Sequence, residues 1–126
     1  MIFCDAVAAL TLGFDPVLLP DHFQWHGADF AVGSKEEYEN LADTFLGGPK
    51  APTAEECNRL GGDVVRYDPM TEEFGVLGTD GVIRTYYKPV PCHTLPPAKR
   101  VRPDGRKNCH GLRTNREYFK RTCETW

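Results

Sequence analysis

The chain contains no stretch close to the roughly 20 consecutive apolar residues of a membrane-spanning helix, so we expect no membrane association. Its first 12 residues carry Asp5 and no basic residue, which makes them a poor signal peptide. Internal repeats and low-complexity segments are also lacking. With 126 residues, 40% of them hydrophobic, the chain is long enough to bury a core of its own. The sequence therefore predicts a single soluble domain.

Paired cysteine motifs such as CxxC are absent as well. The five cysteines are scattered along the chain, at Cys4, Cys57, Cys92, Cys109 and Cys123. An odd number cannot all pair within one chain, and a chain of this size does not depend on disulfides for its stability. We therefore expect free thiols and a reducing compartment.

Two Cys-His dipeptides, Cys92-His93 and Cys109-His110, raise the question of zinc. Structural zinc sites usually leave about two to four residues between neighbouring ligands. Adjacent side chains of an extended chain point apart, so both members of a dipeptide would not easily share one metal. The sequence favours no metal and no cofactor.

The net charge of −3 conceals a strong asymmetry along the chain. Residues 1–89 contain six Lys or Arg and fifteen Asp or Glu, whereas residues 90–126 contain nine and three. A basic segment that follows an acidic body can attract phosphate groups electrostatically. The alternative is a solvated tail whose charge merely offsets that of the body.

One long helix is clearly indicated. Ser34 and Glu37 form a capping box, and the residues behind them place apolar side chains at helical spacing. These side chains are Tyr38, Leu41, Ala42, Phe45 and Leu46. Two glycines and a proline at residues 47–49 end the helix.

Three shorter helices are predicted around it. Residues 21–26 lie between a proline and a glycine, the residues that commonly begin and end helices. Thr53 and Glu56 form a second, weaker capping box, which predicts a helix over residues 54–60. Residues 115–123 are predicted to form a last helix that packs back on the domain.

From residue 63 the apolar pattern changes to a period of two and predicts three strands, at residues 64–67, 74–78 and 82–88. The last two are joined through Asp80-Gly81, a strong hairpin signal. A two-residue loop of this kind needs a positive φ at both positions. Helices followed by an antiparallel meander sheet make an α+β fold.

The two-residue loop also predicts the register of the hairpin. Val76 would lie opposite Thr85, and Phe74 opposite Tyr87. Strand alternation then places Ile83 on the same face as Thr85 and Tyr87.

The first candidates for chemistry are His22 and His26, because a spacing of four puts both imidazoles on one face of a helix. Two histidines can share the roles of base and acid near neutral pH. The spacing also suits a metal, although Phe23 and Gln24 stand where an HExxH motif has its glutamate. A structural role beside apolar neighbours is equally compatible with the pattern.

The second candidates lie on the last predicted strand, where alternation puts Thr85 and Tyr87 on one face and Arg84, Tyr86 and Lys88 on the other. Hydroxyl groups can contact a phosphate, and the cations can neutralise charge on its oxygens. Ordinary strands are also rich in Thr and Tyr. The sequence does not decide which face is active.

These motifs, taken in order, resemble the nuclease toxin domains of the barnase/EndoU/colicin/RelE-like fold. The likeness covers about residues 20–90. Its pieces are His22-Phe-Gln-Trp-His26-Gly27, Glu37-Tyr38, Arg66-Tyr67-Asp68-Pro69, Glu73-Phe74-Gly75-Val76, Asp80-Gly81-Val82-Ile83 and Thr85-Tyr86-Tyr87-Lys88-Pro89. Such domains occur in contact-dependent inhibition proteins, other polymorphic toxins and phage-related proteins. Trp25 stands where they often have a lysine, and residues 92–113 do not belong to the pattern.

The resemblance implies N-terminal helices packed on a sheet of about four antiparallel strands, followed by a helical C-terminal segment. It implies metal-independent cleavage of RNA, often tRNA, through 2′-hydroxyl attack that leaves a 2′,3′-cyclic phosphate. The catalytic candidates are His22, His26, Thr85 and Tyr87, and the candidates for binding substrate are Arg66, Arg84 and Lys88. It further implies a monomer that acts in the cytoplasm of a target cell, and a cognate immunity protein.

Two alternatives of other classes remain open. One is a non-catalytic module of the same fold that binds RNA or a protein. The other is a small zinc-stabilised interaction domain built on the two Cys-His dipeptides.

Overall fold

The structure, a computed structural model, describes residues 10–125 and has the predicted α+β architecture. Its helices are α1 (Leu19–His26), α2 (Lys35–Gly47) and α3 (Asn115–Thr125). Its strands are β1 (Glu55–Asn58), β2 (Val64–Asp68), β3 (Glu73–Leu77) and β4 (Ile83–Tyr87). Short 3₁₀ turns lie at Gly27–Phe30, Cys92–Thr94 and Pro97–Lys99. None of the helices in this part of the chain is long and apolar enough to cross a membrane.

Helix α2 begins with the predicted capping box. The Ser34 hydroxyl accepts a hydrogen bond from the backbone N–H of Glu37 at 3.1 Å and donates one to the Glu37 carboxylate at 3.3 Å. The predicted apolar stripe is confirmed at Tyr38, Ala42 and Leu46, which are buried, and at the partly buried Phe45. It is wrong at Leu41, which is 38% exposed. The stripe holds α2 against one face of the sheet.

The sheet is an antiparallel meander in the order β1-β2-β3-β4. The helix predicted over residues 54–60 is wrong, because this segment forms β1 instead. The hydroxyl of Thr53 donates to the carboxylate of Asp68 at 2.8 Å and does not cap a helix. Cys57 pairs with Val65, so the backbone of β1 finds its partners on the free edge of β2. A helix of seven residues has few hydrogen bonds of its own to compete with this pairing.

The β3–β4 turn is at the predicted place but has a different geometry. The backbone N–H of Gly78 donates to the carbonyl of Val82, and the N–H of Gly81 donates to the carbonyl of Gly78. The loop therefore has three residues, and Gly81 alone among them has a positive φ, of 84°. This is the common hairpin loop in which a type I turn is followed by a left-handed residue.

The strand register beyond the turn agrees with the prediction. Both predicted pairs, Val76 with Thr85 and Phe74 with Tyr87, are present. Leu77, however, lies opposite Ile83, so Arg84 has no partner and forms a β-bulge. The extra residue compensates for the longer turn and restores the predicted register.

The bulge changes which side chains share a face. Ile83 and Tyr86 are buried together on the face that α1 and α2 cover. The prediction that Ile83 shares a face with Thr85 and Tyr87 is therefore wrong, because one extra residue reverses the alternation.

Helix α3 covers part of the opposite face, so the sheet has a core on each side. The core under α1 and α2 contains Phe14, Leu19, Tyr38, Ala42, Leu46, Ile83 and Tyr86. The core under α3 contains Val65, Tyr67, Phe74, Val76 and Phe119. The predicted docking of the last helix is confirmed by Phe119, which is 5% exposed.

Two disulfides connect distant parts of the chain. Cys57 of β1 is bonded to Cys123 of α3, and Cys92 is bonded to Cys109. The expectation of free thiols is wrong for these four residues, and Cys4 lies outside the described residues. Sequence spacing did not reveal the pairs because the fold brings the partners together across 66 and 17 residues. Since disulfides are typical of oxidising environments, the argument for a reducing compartment no longer holds.

Candidate active site

A cleft of about 420 Å³ opens where the end of α1, the end of β4, the loop after β4 and α3 meet. We call it the main cleft. Three of the predicted site residues line it, namely His26, Tyr87 and Lys88. Residues of the basic loop between β4 and α3, including Arg102 and Lys107, also line it. The fold thus places part of the basic segment against the histidine.

The two histidines of α1 share a helix face as predicted, but only His26 lines the main cleft. Its ring stacks on Tyr87 with 4.8 Å between ring centroids. His22 stands behind it, with the two imidazole centroids 6.2 Å apart, and packs on the ring of Phe14 at 4.9 Å. His22 is therefore placed to support His26 and not to meet a ligand in the cleft.

Burial keeps both imidazoles neutral at neutral pH. It lowers the pKa of His26 to about 4, with further lowering by His22 and Arg102 and an opposing effect of Asp21. The pKa of His22 is lowered by burial too, and by Arg102, while Asp21 opposes the change. A neutral imidazole has a free lone pair and can accept a proton. The same shift leaves His26 without a proton to donate at pH 7.

Asp29, which the sequence analysis missed, is the carboxylate nearest to this base. One of its oxygens lies 3.9 Å from Nδ1 of His26, too far for a direct hydrogen bond. The same oxygen accepts from the backbone N–H of Lys88 at 3.4 Å. Burial raises the pKa of Asp29, and the hydrogen bond and charge of Lys88 oppose the rise. Its position three residues after His26 was the available signal.

Two cations of the main cleft, Lys88 and Arg102, are held over aromatic rings. The guanidinium carbon of Arg102 lies 4.5 Å from the ring centroid of Trp25, and Nζ of Lys88 lies 5.4 Å from that of Phe30. The buried Nε of Arg102 has no hydrogen-bond partner among residues 10–125. An anionic ligand in the cleft would supply one. Trp25 occupies the position where the resembling toxins often have a lysine, and it carries a cation on its face.

A second group of side chains on α3 and the preceding loop fixes the floor of the cleft. The hydroxyls of Tyr87 and Tyr118 are hydrogen-bonded to each other. The ring of His110 stacks on Tyr118 at 4.6 Å. His110 Nδ1 accepts from the backbone N–H of Leu112 at 3.2 Å, and Nε2 lies 2.8 Å from the side-chain oxygen of Asn115. Both nitrogens of His110 are thus engaged, and this histidine has a structural role.

Tyr87 presents its aromatic ring to the cleft, whereas its hydroxyl group is already paired. Burial raises its pKa well above the usual value, and the charge and hydrogen bond of Tyr118 raise it further. The phenol therefore stays protonated, with its hydroxyl paired to Tyr118.

The other predicted site residues do not line the main cleft. Arg66 forms an ion pair with Glu56 at 2.7 Å and donates to the carbonyls of Phe45 and Gly48, so it fastens the end of α2 to the sheet. Arg84 lies at the turn end of β4, 3.1 Å from Asp80. Thr85 lines a separate cleft.

Comparison with known proteins finds no protein-family model and no curated protein sequence that matches the chain. Among residues 10–125, no three His, Cys, Asp or Glu side chains are placed to share a metal ion. Cys92 and Cys109 are bonded to each other, so their sulfurs are not the zinc ligands that the alternative interpretation requires. The resemblance to nuclease toxins stays a prediction.

Proposed function

We propose that the protein is an endoribonuclease that cleaves RNA by attack of its own 2′-hydroxyl, without a metal ion. The observation that carries this proposal is the position of His26, a neutral imidazole stacked on Tyr87 in a cleft lined by cations. The cations are Lys88, Arg102 and Lys107. A base beside phosphate-binding cations is the minimum that this reaction requires.

His26 acts as the general base in this proposal. Its lone pair takes the proton of the 2′-hydroxyl, and the resulting oxygen attacks the adjacent phosphorus. The bond from phosphorus to the 5′-oxygen breaks, which leaves a 2′,3′-cyclic phosphate on one product and a 5′-hydroxyl on the other. The leaving oxygen needs a proton from a second group, because His26 serves as the base for the 2′-hydroxyl. We assign this role to the ammonium group of Lys88, which lines the same cleft.

The charge that develops on the phosphoryl oxygens is stabilised by Arg102 and Lys107, which line the same cleft. Arg102 is held over Trp25, and its unpaired Nε gives it a free donor for a phosphate oxygen. The reaction needs a 2′-hydroxyl, so DNA is not a substrate. Structured RNA such as tRNA is the proposed target. The cytoplasm of a target cell is the proposed site of action, and an immunity protein would protect the producer.

The decisive experiment is incubation of the purified, oxidised protein with total tRNA in excess EDTA. We expect fragments that end in a cyclic phosphate. His26→Ala should lower turnover by about 10²–10⁴-fold, the usual contribution of a positioned general base. The matched control is His93→Ala, since His93 is exposed and does not line the main cleft.

Intact tRNA at micromolar protein would contradict the proposal, as would equal cleavage by the two histidine variants. Binding without cleavage would favour the alternative, a non-catalytic RNA-binding module. That alternative is supported by the lack of a second unengaged imidazole in the main cleft, because both nitrogens of His110 are already hydrogen-bonded.

A further inference from the structure

A second cleft, of about 670 Å³, lies on the α3 side of the sheet. Its floor is formed by Phe74, Val76 and Thr85, and Arg59 and Arg121 lie among its walls. We call it the sheet cleft. Helix α3 packs mainly along β2, so strands β3 and β4 are left to line an open groove.

We infer that the sheet cleft binds a nucleotide of the same single-stranded RNA segment whose neighbouring phosphate enters the main cleft. This inference rests on the proposed function for the role of the main cleft. The occupant is an RNA nucleotide, with its base on the apolar floor and its phosphate toward Arg59.

Continuity between the two clefts is the first argument. Tyr87, His110 and Tyr118 line both of them, so the clefts lie on the two sides of one aromatic wall. The rings of His110 and Tyr118 are nearly parallel, at 15°, and 4.6 Å apart. A strand that crosses this wall would present consecutive nucleotides to the two clefts.

The chemistry of the lining is the second argument. Every nucleobase has a π-face, and stacking on aromatic side chains is the general way in which proteins hold single strands without regard to sequence. Tyr118 offers such a ring, and the half-buried Thr85 adds a hydroxyl above Phe74 and Val76, which are almost fully buried beneath the groove. A purely apolar peptide would make no use of the arginines.

The state of Arg59 is the third argument. Its side chain is only 17% exposed, and its buried Nε has no hydrogen-bond partner among residues 10–125. The nearest carboxylate, on Asp63, is 3.8 Å from its terminal nitrogen. A buried donor without a partner is costly, and a phosphate oxygen would satisfy it. Arg102 in the main cleft shows the same feature, so each cleft contains one such donor.

The inference is tested by binding, with RNA that carries 2′-O-methyl groups and is not cleaved. Two probes are compared by fluorescence anisotropy: a dinucleotide with one phosphate, and a single-stranded hexamer. Arg59→Gln should lower the affinity for the hexamer about tenfold, as expected for one lost charged contact. The affinity for the dinucleotide should change by less than about twofold. Arg113→Gln is the matched control, because Arg113 is exposed and lines neither cleft.

A second variant covers the case in which Arg59→Gln does not fold. Thr85→Tyr keeps a residue that strands favour and fills the floor of the sheet cleft. It should also lower the affinity for the hexamer while leaving the affinity for the dinucleotide unchanged. Equal affinity of the parent and both folded variants for the hexamer overturns the inference, and so does an equal loss for both probes. Because the probes are not cleaved, binding can be measured whether or not the protein is a nuclease. If the variants selectively weaken hexamer binding but the parent protein does not cleave RNA, the proposed function is refuted and the inference about the sheet cleft stands.

Discussion

The surroundings of His26 determine whether its imidazole can act as a general base or as a general acid. The imidazole is packed on Tyr87, backed by His22 and faced by a guanidinium, and each of these contacts disfavours a positive charge. Asp29 is close to His26 but is not hydrogen-bonded to it. The residue is therefore neutral at pH 7 and free to act as a base, and the same surroundings make it a weaker base than an ordinary imidazole.

The lowered pKa of His26 predicts a specific pH dependence of stability. In the unfolded chain a histidine titrates near 6.5, whereas in the folded protein His26 titrates at about 4. Between these values the unfolded state binds a proton that the folded state does not, so the unfolding free energy falls as pH drops from about 6.5 to about 4. His26→Gln should reduce this fall, measured by urea unfolding across the range. Parallel curves for the parent and the variant would contradict the burial of this imidazole.

Sequence spacing predicts the shared face of the two histidines but not which of them reaches the cleft. That distinction depends on Phe14, whose ring packs on His22. Phe14 belongs to a segment that has no recognisable motif. Arg102 of the basic segment and Tyr118 of α3 are brought to the main cleft only by the tertiary structure. Asp29 was missed although it lies only three residues after His26.

Among the elements, those with local signals were predicted best. The capping box fixed the start of α2 because the Ser34 hydroxyl accepts from the backbone N–H of Glu37, and the Glu37 carboxylate accepts from that hydroxyl and from the backbone N–H of Gly33. The location of the β3–β4 turn followed from Asp80-Gly81, but the bulge at Arg84 did not, since it depends on the balance between the loop and the strand register. Strand β1 was missed because it forms by pairing with β2, and the local sequence of β1 does not reveal that partner.

The loop between Cys92 and Cys109 is the element whose order we expect to depend most on a covalent bond. Few of its side chains are buried, yet it carries Arg102 and Lys107 to the main cleft. In a double variant with both cysteines replaced by Ser, hydrogen exchange within the loop should accelerate, and uncleavable RNA should bind more weakly. The unfolding free energy should fall by about 3 kcal/mol, since the bond spans 17 residues.

The matched control is the double Ser variant at Cys57 and Cys123. That bond spans 66 residues, so its loss should cost about 4 kcal/mol on the same entropic argument. It should nevertheless leave exchange within residues 93–108 unchanged under conditions where the protein is folded. If the two variants accelerate exchange in this loop equally, its order comes from the whole fold and not from its own disulfide.

Over the whole molecule, the opposite charges of the two chain segments meet at the main cleft. The sequence predicts the asymmetry but not its geometry. In the structure Arg102 and Lys107 line the cleft, Arg106 lies 3.6 Å from Asp21 of α1, and Arg100 donates to the carbonyl of Leu95. The basic segment is thus a wall of the cleft and not a free tail.

This arrangement predicts how RNA affinity depends on salt. Each cation that contacts a phosphate releases counterions, which contributes about 0.7 to the slope of log K against log salt for a single strand. Replacing Arg102 and Lys107 together by Gln should reduce the slope by about 1.4. Lys99→Gln, at an exposed position that does not line the cleft, is the control. An unchanged slope in the double variant would mean that neither cation contacts the RNA.

The bond between Cys57 and Cys123 makes most of the described chain a closed ring and leaves α1 and α2 on an open arm. A protease that cuts within residues 58–122 produces two fragments that the Cys57–Cys123 disulfide still joins. Residues 49–53 are all exposed and lie before the ring, so a cut there breaks the backbone link between the arm and the ring, which are then held together by the packing of α1 and α2 on the sheet. The arm carries His26 and the ring carries Lys88 and Arg102. A single nick would thus turn the candidate active site into the interface between two separate molecules.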